Sequence, residues 1–307
     1  MNSRTPVPAP GSPAGNTDAA RIHNIGYRNY GGQRLGRAYV RRSLFVQSLR
    51  GSFGLGRSAK SKVLPMLLFA VMCLPALIIV AVAVTVDSKK LPLDYPEYAV
   101  YLQAVIGLFI ASQAPQAVSR DLRFRTVPLY FSRPIERVDY VLAKYGAMAS
   151  AMLILTGTPL LLLYLGALLA KMDFLDQTKY FAQGLVAAAL LSVLFAGLGL
   201  VLAAATPRRG FGVAAIIAML TITYGAVSSV QGIAEGTENG DIVQWLGLFS
   251  PHTLVYGIQT AFLGADSVFP GGHEPGTGIG ALYVLAVLAL IAGSYALLMS
   301  RYRKAGL

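Results

Sequence analysis

The sequence is short of charged residues and has a single cysteine. Asp, Glu, Lys and Arg make up 13% of its 307 residues, whereas an ordinary soluble domain has about 25%. Cys73 has no second cysteine with which to form a disulfide, and three histidines beside it give no zinc-binding pattern. The composition therefore excludes a disulfide-stapled domain and disfavours an ordinary soluble fold.

The missing charges leave six long apolar stretches. Each has more than 20 residues without Asp, Glu, Lys or Arg, and a helix needs roughly 20 apolar residues to cross about 30 Å of hydrocarbon. A helix also satisfies its own backbone inside a bilayer, and core helices of soluble proteins rarely run this long without a polar face. The sequence predicts an all-α integral membrane protein with six transmembrane helices, at residues 63–86, 98–119, 146–170, 180–205, 211–233 and 279–300.

The net charge of +12 is concentrated on one side of the predicted membrane. With a cytoplasmic N-terminus, 22 of the 26 Lys and Arg residues fall on the cytoplasmic side. This is the positive-inside pattern. It predicts that both termini are cytoplasmic, that the basic residues face the anionic lipid of the bilayer, and that nucleic acid is not a partner.

The segment before the first span has two parts. Residues 1–20 are rich in Pro, Ala, Gly and Ser, which predicts a disordered tail. Residues 21–62 are basic and predict an amphipathic elbow helix, whose apolar positions Val40, Leu44, Phe45, Leu49 and Phe53 lie mostly apart from Arg41, Arg42 and Arg50. Such a helix lies in the headgroup plane. It serves either as a lipid anchor or as a contact for a cytoplasmic partner.

The stretch GSFGLGRS, residues 51–58, differs by one residue from the phosphate-binding loop G-x-x-x-x-G-K-[ST]. Arg57 occupies the lysine position, and arginine does not replace the compact charge of lysine. A phosphate loop also needs a preceding strand and an Asp for Mg²⁺ on a second strand, and the sequence offers neither here. The glycines therefore predict a flexible joint before the first span, without nucleotide binding.

The fourth predicted span carries small residues on one face, at Ser192, Ala196, Gly199 and Ala203. Small side chains let another helix approach closely within a membrane. The covering helix comes either from this chain or from a partner subunit.

The predicted outer segment, residues 234–278, contains two short apolar helical patterns that are separated at Pro251. Neither is long enough to span the membrane, which predicts a re-entrant or interfacial helix pair before the last span. Trp245 and Tyr256 are of the aromatic type enriched at the membrane interface. His252 lies at the junction of the two patterns and is predicted to be a hydrogen-bonded turn residue rather than a ligand.

The predicted cytoplasmic loop, residues 120–145, mixes charges of both signs with apolar and aromatic residues. Arginine together with aromatic residues is typical of protein interfaces. The alternative is a solvated loop whose basic residues only set the topology.

The whole layout resembles the permease subunit of ABC transporters of the type-2 exporter class, from about residue 21 to the end. The stretch SRDLRFRTVPLYFSRPIERVDYVLAKY, residues 119–145, is similar to the family's loop after span two. The stretch FSPHTLVYG, residues 249–257, is similar to a segment of its outer insertion. Arg125 and Val127 depart from the family pattern, which often has Gly before the Thr and Glu after it.

The resemblance implies an exporter permease in a prokaryotic plasma membrane, dimerising with a second copy or a paralogue. Two copies of a separate ABC ATPase would hold ATP and Mg²⁺, so this chain would have no catalytic residue, cofactor or metal of its own. Residues 120–139 would act as the coupling helix that contacts the ATPase, through Arg120, Asp121, Arg123, Arg125, Thr126, Leu129, Tyr130, Phe131, Arg133, Pro134, Glu136 and Arg137.

Two other classes of protein stay open at this point. One is a membrane scaffold or assembly subunit without transport activity. The other is a secondary transporter, which is disfavoured because the six predicted spans contain no Asp, Glu, Lys, Arg or His, and such residues relay protons or coordinate ions in those proteins.

Overall fold

The computed structural model describes residues 32, 35–86, 90–124, 130, 135–206, 208–237 and 239–305, without the side chains at 120, 209 and 305. The tail predicted at residues 1–20 lies outside these ranges. Within them every regular element is a helix, and no strand occurs. The prediction of an all-α protein is confirmed.

Ten α-helices and two short 3₁₀ turns follow one another along the described ranges. The turns are Gly247–Phe249 and Pro270–Gly272. The helices are α1 (Arg37–Ser52), α2 (Ala59–Thr85), α3 (Tyr95–Tyr101), α4 (Gln103–Arg123), α5 (Arg137–Leu169), α6 (Phe174–Ala205), α7 (Arg209–Gly236), α8 (Gly240–Leu246), α9 (Pro251–Phe262) and α10 (Thr277–Ala305).

Among the described residues, five helices are long and apolar enough to cross a membrane: α2, α5, α6, α7 and α10. The pair α3 and α4 forms a sixth span if it is taken as one unit, and it is bent by 64°. Leu102 separates the two helices of that pair. The structure thus has five unbroken spans and one bent pair where the sequence predicts six uninterrupted helices.

Helix α5 begins at Arg137, inside the segment that the sequence predicts as a cytoplasmic loop. Glu136 and Asp139 form a capping box, in which each side chain accepts a hydrogen bond from a backbone N–H of the first turn. Helix α4 likewise continues to Arg123. The predicted loop is therefore helical at both ends: its first residues continue α4, and its last residues form the first turns of α5, which the capping box stabilises.

Helices α5 and α6 form the centre of the bundle and contain its longest buried faces. Helix α4 of the same chain covers part of the small-residue face of α6. A Cβ at Gly199 would lie 2.6 Å from the Ile110 side chain, and the Ser119 hydroxyl donates to the Ala203 carbonyl at 2.8 Å. The sequence left open whether a helix of this chain or of a partner subunit packs on this face. At Gly199 and Ala203 it is a helix of this chain.

A tyrosine of α3 braces α2 beside a proline. Pro75 lies within α2 and has no N–H to donate. The Tyr98 hydroxyl accepts a hydrogen bond from the Ala76 N–H at 3.1 Å and donates one to the Met72 carbonyl. Tyr98 is 1% exposed, so α2 and α3 are joined at this point within the core.

Tyr283 of α10 holds the outer helices α8 and α9 in place. Its ring packs against the backbone of Gly257, where a Cβ would lie 1.8 Å from the ring carbon Cε2. Its hydroxyl donates to the Gln244 carbonyl at the end of α8. One side chain of α10 therefore contacts both outer helices.

The outward faces of several spans remain apolar and exposed. Leu67 of α2, Ile222 of α7 and Leu285 of α10 are 56%, 66% and 61% exposed, respectively. Apolar surface of this extent is stable only in contact with lipid or with another protein. The exposed faces agree with a location of the bundle in a membrane.

Candidate functional site

Acidic residues before and within the first turn of α5 bind arginines of α1. The Arg37 guanidinium donates to Asp139 Oδ2 at 2.5 Å and also contacts the Glu136 carboxylate. Arg41 Nη1 lies 3.7 Å from the other oxygen of Asp139, whose side chain is 2% exposed. These hydrogen bonds to Asp139 and Glu136 raise the pKa of Arg37 above its ordinary value. The elbow helix is thus fastened by charge to the start of α5.

The local sequence explains why both carboxylates lie at this place. Glu136 is the N-cap of α5, and Asp139 Oδ2 accepts the Glu136 N–H at 3.2 Å. The N-terminus of a helix carries a partial positive charge, which favours acidic side chains there. A carboxylate held in this way is already oriented when Arg37 approaches it.

A second ion pair connects the end of α4 with α5. Lys144 Nζ lies 3.1 Å from Asp121 Oδ2 and donates to the Ala117 carbonyl at 3.0 Å. The Tyr140 hydroxyl donates to the same Asp121 oxygen at 2.5 Å. Both partners are largely buried, with side-chain exposures of 12% for Lys144 and 18% for Asp121.

Aromatic rings extend this cluster to the C-terminal helix. The ring of Tyr140 lies 5.0 Å from that of Tyr302 in α10 and 5.3 Å from that of Tyr130, measured between ring centroids. Tyr140 and Tyr302 are both almost fully buried. We call this set the brace: Arg37, Asp121, Glu136, Asp139, Tyr140, Lys144 and Tyr302.

A cavity of about 240 Å³ lies between α1, α4 and the brace. Asp121, Lys144, Tyr130 and Arg57 contribute to its wall. The cavity is lined by polar and apolar groups in near-equal measure, as expected of a surface that water or a partner's side chains enter.

The structure describes part of the predicted coupling segment. Asp121 and Glu136 belong to the brace, while Arg123 ends α4 and Arg137 starts α5. Tyr130 contacts the brace through Tyr140. Other predicted contacts lie outside the described residues, as does the side chain of Arg120: Arg125, Thr126, Leu129, Phe131, Arg133 and Pro134.

The brace also contains residues that the sequence analysis did not assign to a site, above all Arg37 and Tyr140. Arg37 is separated from Glu136 by 99 positions, and no short pattern connects residues that far apart. Tyr140 follows the capping box and falls on the face of α5 that the bundle buries. The burial of Tyr140 could be predicted from the sequence only if the helix were known to start at Arg137.

The predicted elbow helix is present as α1, and its two faces have different surroundings. Leu44 is buried, and Phe45 and Leu49 pack on the core. A Cβ at Gly146 of α5 would lie 3.5 Å from the Phe45 ring. Protein therefore covers the apolar face that the lipid-anchor alternative assigned to the bilayer, whereas Arg42 and Arg50 line an open cleft of about 630 Å³.

The glycine-rich stretch forms a tight turn between two helices. Gly54 and Gly56 have φ angles of +69° and +83°, values that favour glycine. A Cβ at Gly54 would lie 2.4 Å from the Ser61 carbonyl oxygen. Arg57 donates to the Gln116 side chain of α4 at 2.9 Å. The turn connects α1 to α2 and lacks the strand that a phosphate loop requires.

Replacing Arg57 with Ala tests this assignment. If the chain works with a separate ATPase, as the resemblance implies, we expect the ATP turnover of that complex to stay within about twofold of the original, because a hydrogen bond from an exposed arginine contributes little. The measurement is steady-state phosphate release by the purified complex. Direct nucleotide binding by the chain alone that disappears in Arg57→Ala would contradict it.

The outer helices place the four predicted residues in two settings. Trp245 is 51% exposed, in agreement with an interfacial position. Pro251 starts α9, and the first nine residues of that helix are buried by protein. Tyr256 is 3% exposed, so its ring is enclosed by protein and does not face lipid. His252 is 4% exposed and has no hydrogen-bond partner among the described residues, contrary to the predicted turn role.

These features together define a multi-span helical membrane protein with ion pairs where α1, α4 and α5 meet. Residues 45–307 match the family described as ABC-2 family transporter protein. The chain belongs to this family of ABC transporter permeases. No match was found among curated protein sequences.

Proposed function

We propose that the chain is the membrane-spanning permease of an ATP-driven exporter and that its 120–139 segment contacts a separate ATPase. The observation that carries the proposal is the brace. It fastens both ends of this segment, at Asp121 and at Glu136, to α1, α5 and α10. Because Asp121 itself belongs to α4, a force applied to the segment is thereby distributed to α1, α4, α5 and α10.

The proposed complex has two ATPase copies and two permease copies, the second being identical or a paralogue, in a prokaryotic plasma membrane. ATP and Mg²⁺ are held by the ATPase. Closure of the ATPase dimer moves the coupling segment, and the ion pairs of Asp121 and Asp139 transmit the motion to α4 and α5. The pathway opens between the two permeases, along their exposed apolar faces.

Co-purification with an ATPase tests the proposal. We expect tagged chain, purified in detergent from its own host, to carry a stoichiometric ATPase that is lost in Leu129→Arg, because a charge in the apolar part of the segment disrupts the docked interface. Bound ATPase is measured by mass spectrometry and its activity by phosphate release.

A matched control is Leu175→Arg, the same substitution at a position of α6 that is 76% exposed and lies on the predicted outer side. This variant keeps the ATPase. Recovery of the intact chain alone, without ATP turnover, contradicts the permease proposal and favours the scaffold subunit or the secondary transporter.

A further inference from the structure

A groove between α4 and α7 has an apolar wall and a polar end. Its volume is about 320 Å³, within the range of small-molecule sites, about 300–1,000 Å³. Its walls include Gly107, Leu108, Ile217 and Leu220. Its lining also contains Gln103, where α4 begins, and His252 of α9, whose ring lies 5.5 Å from that of Tyr224 in α7; we call these polar residues its polar end. Leu108 and Ile217 are 39% and 38% exposed, so the groove opens on the surface of the bundle.

The polar end has hydrogen-bonding atoms that the described residues leave unused. Both ring nitrogens of His252 and the Oε1 atom of Gln103 are buried without a partner there, and both residues line the groove. An unpaired buried polar group costs about 1–3 kcal/mol. Three such atoms in the lining of one groove indicate a missing hydrogen-bonding partner.

The same end carries no charge. None of the residues that line the groove is Asp, Glu, Lys or Arg. His252 is surrounded by the rings of Phe195, Tyr224 and Tyr256, at centroid distances of 4.8, 5.5 and 6.3 Å. Burial lowers the pKa of His252 to about 4, so its imidazole is neutral at pH 7. A neutral imidazole offers one hydrogen-bond donor and one acceptor. The lining has no charged side chain that could pair with a charged group of a ligand.

We propose that this groove binds an amphiphile whose apolar body lies between α4 and α7 and whose neutral head, a hydroxyl or an amide, hydrogen-bonds to His252 and Gln103. This inference adds a substrate class to the proposed export function. It rests on that function only for the statement that the bound ligand is exported. A headgroup with a full charge is excluded by the same argument, because it would be buried without a partner.

Photolabelling of the full-length chain in lipid nanodiscs tests the proposal. The probe is a diazirine analogue of dodecanol, and labelled peptides are mapped by mass spectrometry. The competitors are dodecanol, dodecanamide, dodecane and dodecyltrimethylammonium. We expect labels on α4 and α7, with dodecanol and dodecanamide competing roughly fivefold better than dodecane or the cation.

Two variants separate the head from the body of the ligand. His252→Phe keeps the ring shape and removes both nitrogens, so the advantage of the neutral heads should fall to less than about twofold. Ala104→Phe fills the groove from an exposed position and should reduce all labelling about tenfold. The matched control is His273→Phe, because His273 lies outside the groove and pairs with Glu235 at 2.6 Å; it should keep the original order of competitors.

The outcomes are separable from those of the proposed function, because labelling needs no ATPase. Three results would overturn the inference. They are an equal potency of all four competitors, an unchanged preference in His252→Phe, and a groove that a second permease copy shields from the label. Labelling as expected supports it, and two sources of the ligand are then distinguished with the ATPase present. Dodecanol that raises ATP turnover identifies an exported compound, whereas occupancy without a change in turnover identifies a resident lipid.

Discussion

Lys144→Met is expected to destabilise the protein by about 3 kcal/mol and to weaken coupling to the proposed ATPase. The substitution keeps the length and apolar stem of the side chain but removes the ammonium group 3.1 Å from Asp121. The Asp121 carboxylate is then largely buried without its lysine, and breaking a buried pair by removing one partner costs about 3–5 kcal/mol. We take the lower end, because both side chains retain some exposure.

The measurement is a thermal unfolding midpoint in detergent, together with the ATP turnover of the complex. The double variant Asp121→Asn with Lys144→Met should recover at least half of the loss, since it removes the uncompensated charge as well. Lys60→Met, at an exposed position, is the matched control and should leave the midpoint unchanged. A Lys144→Met protein as stable as this control would show that the brace is not a structural link.

Gly257→Val is expected to separate the outer helices from α10. Even the first carbon of the new side chain would lie 1.8 Å from Tyr283 Cε2 and 2.1 Å from Cδ2. Overpacking a core costs about 1–3 kcal/mol, and we expect the upper end because Tyr283 is fully buried and is also fixed through its hydroxyl. The loss of stability should therefore be about 3 kcal/mol.

Trp245 reports this separation directly. It is the only tryptophan of the chain and belongs to α8, so its fluorescence emission follows the environment of the outer helices. We expect a shift of the emission maximum together with a lower unfolding midpoint. Gly293→Val is the control, because a Cβ at Gly293 of α10 meets no other atom within 4 Å. Equal behaviour of the two variants would refute the role assigned to Tyr283.

The sequence predicts the class of fold because the membrane imposes a coarse rule. A run of more than 20 uncharged residues predicts a span wherever it occurs, and the helices α2, α5, α6, α7 and α10 follow from it. The rule does not give helix ends. Helix α5 starts before its apolar run, because the capping of Glu136 and Asp139 depends on hydrogen bonds and not on hydropathy.

The covering of an apolar face is harder to predict. Lipid tails are as apolar as leucine side chains, so the pattern of α9 is the same whether protein or bilayer surrounds it. The burial of Tyr256 and His252 therefore emerged only from the packing of α9 against α6 and α10. The brace escaped prediction for another reason: Arg37 and Asp139 are 102 positions apart, and pairing at that distance depends on the complete fold.

The contact between Tyr98 and α2 joins the first two spans beside a proline of α2. Pro75 is one of two prolines inside α2, and it has no N–H to donate to the preceding turn. The residue that supports this turn belongs to α3, across the bend at Leu102 from α4. In the proposed complex, a displacement of α4 by the ATPase would therefore reach α2 through Tyr98, at a turn that already lacks one backbone hydrogen bond.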